Sequence, residues 1–164
     1  MCIRDSDTSK QEIAFETVWS KTEFEGRELL LVKAKGPNST VGRPGEAIEN
    51  IIPQEKPDLI IMIDAALKLE GEDSASIAKG FGAAIGGIGT ERFKIEEVAT
   101  KNSIPILAIV IKQTIEEAIT LMSEDIAKQA KSVRNQIYEM IEENSTSGQT
   151  VMIVGVGNTL GISQ

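Results

Sequence analysis

Three stretches of this chain are apolar almost without interruption: residues 59–63, 104–111 and 150–154. They lack the apolar–polar alternation of a half-exposed strand. Short runs of this kind read as strands buried on both faces. Both faces are covered mainly in parallel sheets, with helices on each side. That feature limits the chain to few architectures.

Between the runs the periodicity changes to that of helices. Ile48, Ile51 and Ile52 stand at helical spacing over 46–52, opened by Pro44 and closed by Pro53. Residues 91–101 repeat the pattern with Ile95 and Val98, behind Thr90 as a cap. Thr114 caps a longer stretch, with Glu116 and Glu117 where negative charge suits the helix dipole. Its apolar residues step by three and four from Ile115 to Met140. Thirty helical residues would span ~45 Å, more than a small domain, so a break is expected near Ser123. Residues 73–79 read as a short helix capped by Asp73 or Ser74. Ahead of all these, 16–24 and 29–35 flank the turn Glu25-Gly26-Arg27, a hairpin over 16–35.

A hairpin followed by alternating helices and strands predicts an α/β fold. The expected form is a three-layer sandwich with a mostly parallel sheet, preceded by a β-hairpin. With 164 residues, one domain is expected, large enough for a core without metal or disulfide staples. Residues 16–164 are read as that domain and 7–15 as a flexible start. Residues 1–6, Met-Cys-Ile-Arg-Asp-Ser, resemble a translated sequencing-adapter remnant of the sort seen in metagenomic reading frames. The glycine turn just before Gln164 would normally lead into another element, so the domain is expected to be truncated.

Composition removes several chemistries. The chain has no histidine, which excludes Ser-His-Asp triads, Cys-His pairs and histidine-ligated zinc within it. Cys2 is the single cysteine, so an internal disulfide is impossible. A net charge of −8, from 17 basic and 25 acidic residues, opposes nucleic acid as a partner. No apolar run approaches the ~20 residues of a membrane span. A cytoplasmic protein is expected, with any membrane anchor confined to a longer parent.

Ligands of open α/β sheets bind beyond the carboxyl ends of the strands. The loops expected there are 36–43, 64–72, 112–114 and 155–164. Asp64 directly follows five apolar residues and so is expected at the very end of a buried strand. A carboxylate there is a metal ligand, a general acid or base, or an acceptor that organises the loop. Residues 80–89 hold five glycines, which let a backbone approach a ligand and aim N–H groups at it. The 80–89 run follows a helix candidate and lacks dinucleotide spacing, the later Gly155–Gly161 segment follows a strand but has no helix or ribose-binding acid after it, and no Lys-Ser/Thr pair follows any glycine run as a P-loop requires. The candidate ligand-binding residues are Asn38, Ser39, Arg43, Lys68, Gly86, Gly87, Gly89 and Asn158. Arg92 and Lys112 are further cations beside these loops.

Two resemblances bear on function. Val-Gly-Arg-Pro-Gly-Glu-Ala at 41–47, Leu-Ile-Ile-Met-Ile-Asp-Ala-Ala-Leu-Lys-Leu-Glu-Gly at 59–71 and Gly-Val-Gly-Asn-Thr-Leu-Gly-Ile at 155–162 resemble an archaeal family known only as a domain of unknown function. More distantly, residues 36–120 are similar in layout to the spore germination and hydrogenase-maturation peptidases. The likeness runs through Thr40-Val-Gly42, Pro57-Asp58, Ile63-Asp64-Ala65, the glycines at 86–89 and Ile104-Pro105. This similarity implies a phosphorylase/hydrolase-like fold, with Asp64 as a catalytic or metal-binding carboxylate. The group's partner acid follows a Gly-x-Gly-Asn loop. The loop of that form here, Gly155–Asn158, has no acid after it.

The leading expectation is a hydrolase or degenerate hydrolase centred on Asp64, with Glu46 or Glu70 as the second carboxylate. Its cofactor would be a divalent metal at Asp64, and its substrate a small molecule or peptide. The competing expectation is a non-catalytic ligand-binding or scaffold domain on the same fold. A scaffold that assembles as a homo-oligomer would expose an apolar stripe along 126–140. A nucleotide-dependent or redox enzyme has only the Gly155 loop in its favour.

Overall fold

The structure is a computed structural model, and it describes residues 10–35, 41–83, 89–120 and 124–156. Seven strands form one sheet: β1 (Gln11–Ala14), β2 (Thr17–Phe24), β3 (Arg27–Ala34), β4 (Leu59–Leu67), β5 (Ile77–Phe81), β6 (Ile106–Gln113) and β7 (Thr150–Gly155). The helices are α1 (Pro44–Glu55), α2 (Gly89–Lys101), α3 (Ile115–Ile119) and α4 (Glu124–Asn144). The strand order is β1-β2-β3-β7-β4-β6-β5. The four inner strands β3, β7, β4 and β6 are parallel. The edges, β1–β2 on one side and β5 on the other, are antiparallel. The fold is therefore mixed α/β with a mostly parallel central sheet, as the apolar runs predict.

Pleating divides each buried run between two cores. Ile60 and Met62 of β4 join Leu30, Val32, Met152 and Val154 under α1 and α2. Leu59 and Ile61 join Leu29, Leu31, Val151 and Ile153 under α4. Both parities must be apolar, which is why these strands show no alternation. Connection direction sorts the helices. The β3–α1–β4 crossover advances across the sheet one way and the β6–α4–β7 return goes the other, while α2 joins the antiparallel neighbours β5 and β6. Right-handed crossovers in opposite directions place helices on opposite faces.

The hairpin reading of 16–35 matches the structure. Phe24 pairs with Arg27 across Glu25 and Gly26, whose φ values are 47° and 74°. Two residues with positive φ give a tight turn whose twist suits the strands. The helix break also matches: α3 ends at Ile119 and α4 starts at Glu124. Thr114 caps α3 through a reciprocal capping box with Glu117.

Other expectations need correction. Residues 73–79 are not a helix. Ile77 to Phe81 form β5, whose hydrogen-bonding partner β6 lies some thirty residues later in the chain. The domain's sheet begins before residue 16, with β1 over 11–14. Helix α1 runs through Pro53 and stops at Lys56, whose N–H closes the last turn on the Ile52 carbonyl and whose left-handed φ of 46° turns the chain out of the helix. The stripe along 126–140 is not exposed: Ile126, Val133, Ile137 and Met140 are buried, the last three within the α4-side core. Among the described residues no helix is long and apolar enough to cross a membrane.

Candidate functional site

Asp64 is only 9 % exposed and is the one charged side chain buried among the described residues. It does not end its strand. β4 continues to Leu67, with Asp64 opposite Val110 and Leu67 opposite Gln113 of β6. By parity its side chain shares the α1/α2 face with Ile60 and Met62. The apolar run stops at Ile63 because the neighbour on the other side stops there. The last β4–β7 pair is Ile63 with Gly155, and Val156 donates to the Ile63 carbonyl at 2.8 Å.

Hydrogen-bond direction explains one job of the carboxylate. Ile60 and Lys68 donate towards β6, to Pro105 O at 3.0 Å and Gln113 O at 2.9 Å. The Ala65 N–H, of opposite parity, points to the side that the β7 ladder has just left. Asp64 Oδ1 accepts it at 2.7 Å. The carboxylate thus takes a backbone donor that the ladder would otherwise engage. An unmet buried donor is costly, so this placement stabilises the strand extension.

The amino ends of α1 and α2 lie at the same end of the sheet. Arg43 stands at the α1 N-cap without a side-chain capping bond. Instead Glu91, in the first turn of α2, accepts the Gly45 N–H at 2.8 Å. A Cβ on Gly45 would lie 2.8 Å from that same oxygen and 3.2 Å from Lys94 Cβ, so glycine permits the two helices to close. The Arg43 N–H bonds Thr17 Oγ1 at 2.9 Å, and its guanidinium lies 5.6 Å from the Phe15 ring centre. Thr17 is 1 % exposed, and its hydroxyl donates in turn to Phe15 O at 3.1 Å. Gly42 supplies the approach: its φ is +66°, and a Cβ there would meet Thr17 Oγ1 at 2.5 Å. The 41–47 motif therefore docks the start of α1 on the β1–β2 bend.

Glu46 pairs with Arg43 at 3.2 Å. Glu70 is exposed, beside Gly71 in the turn that follows β4. Lys68 donates to Glu72 O at 2.9 Å, and Lys112 bonds both Glu72 carboxylate oxygens at 2.9 and 3.0 Å. Arg92 pairs with Glu96 at 3.2 Å. The expected anion-binding cations thus have partners within the chain. The Leu69 N–H above all, and then Lys112, hold the Glu72 carboxyl below the ordinary carboxylate range. The Ser74 hydroxyl, and then the Thr114 N–H, do the same for Glu117. Gly89 is the first residue of α2. Asn38, Ser39, Gly86, Gly87 and Asn158 lie outside the described residues.

Among the described residues no three Asp, Glu or Cys side chains gather as a metal would require. Two surface depressions lie at the other, amino end of the parallel strands. One, of about 510 Å³, is lined by Lys21, Arg27 and Gly148 among others. The second, of about 350 Å³, sits between Ile52, Pro57 and Ile104. Sequence reading missed Thr17, Glu72 and Glu91, which tie separate segments together. Glu117 was the legible one, because Thr-x-x-Glu is a capping-box spacing.

The family described as domain of unknown function (DUF1512), C-terminal, matches residues 1–163. No curated protein matches the chain.

Proposed function

We propose, from the premise that this chain belongs to the DUF1512 C-terminal domain family, that it is a ligand-binding domain. Its fold is read as a three-layer sandwich, α1 and α2 over one sheet face and α4 over the other. Its site is the crest where β3 and β7 end and β4 goes on, beside the amino ends of α1 and α2. The ligand is a small polar molecule or a peptide with hydrogen-bond donors. The observation that carries this reading is Asp64, a carboxylate nine-tenths buried at the point where β7 stops and β4 goes on. Its place beside the end of β7, among the carboxyl ends of parallel strands where open α/β sheets take ligands, favours a role in recognition. The engagement of Glu46 with Arg43 and the exposure of Glu70 favour binding over two-carboxylate hydrolysis.

Thermal melting of the wild type and of Asp64→Asn tests this. The variant keeps the shape and weakens the acceptor, so its Tm is expected to fall by about 3–6 °C, or roughly 1–2 kcal/mol. Neither Mg²⁺, Mn²⁺ nor Zn²⁺ should raise either Tm. Screening small amines, amides and short peptides should find compounds that raise the wild-type Tm but not the variant's. A metal-dependent rise confined to the wild type would restore the hydrolase reading, with Asp64 as metal ligand.

A further inference from the structure

Residues 68–76 leave β4, pass the carboxyl end of β6 and enter β5 on its far side. They form a strap over the carboxyl end of β6, bonded to it on both sides.

The strap has little apolar anchoring. Of residues 68–76 only Ala75 is buried, while Leu69, Glu70, Gly71, Asp73 and Ser74 are exposed. Its backbone is tied to β6 by Lys68 N to Gln113 O, Ala75 N to Lys112 O and Lys112 N to Ser76 O. Two side-chain fastenings complete it. Glu72 sits on Lys112, and Ser74 donates to the Glu117 carboxylate of α3. The fastenings share groups. Lys68 acts electrostatically on both Glu72 and Glu117, and Glu117 also accepts the Thr114 N–H. Each is charge-assisted, and each carboxylate is acceptor-only while ionised.

We infer that residues 68–76 are a strap over the carboxyl end of β6, clasped by Glu72–Lys112 and Ser74–Glu117, and released as a unit when both glutamates are protonated. This rests on the proposed site for its purpose, since the strap would govern entry at the crest, but its opening can be read without a ligand. The charged groups around the clasp set the direction. Lys112 faces Glu72 from β6 and Lys68 faces both glutamates from the end of β4. Glu70 and Asp73 lie on the strap itself, and Glu116 lies on α3. Protonating Glu72 and Glu117 leaves Lys68 and Lys112 charged and without their counter-ions, so mutual repulsion adds to the lost bonds. Both carboxyls are held below their ordinary value, so the clasp is complete at neutral pH and is lost as pH falls below the usual carboxylate range.

Amide hydrogen exchange of the whole chain is the test, corrected for intrinsic rates, at pH 7 and at pH 3.5. Exchange at Glu72 and Ala75 should quicken by about three- to tenfold at the lower pH, the range two part-exposed pairs supply. Exchange at Ile60 and Ile109 in the core strands should stay unchanged. The double variant Glu72→Gln with Ser74→Ala should show the quickened strap already at pH 7. The inference is overturned if strap exchange is indifferent to pH and to the double variant, or if strap and core strands quicken together. Failure of the ligand screen would count against the crest as a site and leave this result standing.

Discussion

Thr17 shows how much one buried hydroxyl can organise. It donates to Phe15 O and accepts the Arg43 N–H, so it joins the bend before β2 to the start of α1. Thr17→Val keeps the shape and leaves that N–H without its acceptor. The expected loss is about 1–3 kcal/mol, read as a lower urea midpoint at unchanged m-value. An unchanged midpoint would mean that the Arg43 N–H finds another acceptor. Asp64 poses the same accounting at higher stakes, because its carboxylate is charged. A sequence can show that a polar residue follows an apolar run. It cannot show which backbone N–H that residue will meet, since the donor is exposed by the ending of a strand about ninety residues later in the chain.

At the scale of the element, the ends are where sequence and structure part most often. Helix α1 has Pro53 in its last turn and closes on Lys56 in the left-handed region. A side chain there costs about 1–2 kcal/mol, while glycine adopts the conformation freely. Allowing for the extra freedom glycine gives the unfolded chain, Lys56→Gly should stabilise by about 0.5–1 kcal/mol. That corresponds to a Tm higher by roughly 1–4 °C in thermal melts. A lower Tm would show that the Lys56 side chain contributes more than its backbone costs. The elements that were legible carry local signals: the Glu25-Gly26 turn, the Thr114–Glu117 box and the two acids that open α4. β5 carries none. Ile-Ala-Lys-Gly-Phe has no clear alternation, and its strand character comes from pairing Ile77 with Ile111 and Phe81 with Leu107.

For the whole molecule, the central sheet is shared by two cores, so neither face should melt alone. Ile61 is buried on the α4 side and Met62 on the α1/α2 side of the same strand. Ile61→Ala and Met62→Ala should each cost about 2–5 kcal/mol, a large part of a typical total of roughly 5–15 kcal/mol. Trp19, the single tryptophan, packs against the α1/α2 core. Its fluorescence should nevertheless lose midpoint in step with far-UV circular dichroism in Ile61→Ala, although that mutation lies on the other face. Two separated transitions would show that the faces unfold independently.

The sequence by itself determined the class of fold, because a strand apolar on both parities has to be covered on both faces, and only helix-flanked central strands are. It also determined the hairpin and the break between α3 and α4, whose causes lie within a few residues of the features themselves. The tertiary structure decided the rest. It placed β7 between β3 and β4, carried β4 past Asp64 along β6, and turned 77–81 into an edge strand. It also gave Gly45 to Glu91 and Glu72 to Lys112. These are pairings between groups far apart in the chain. Their free energy exists only once both partners are held in place, so no local pattern of residues records them.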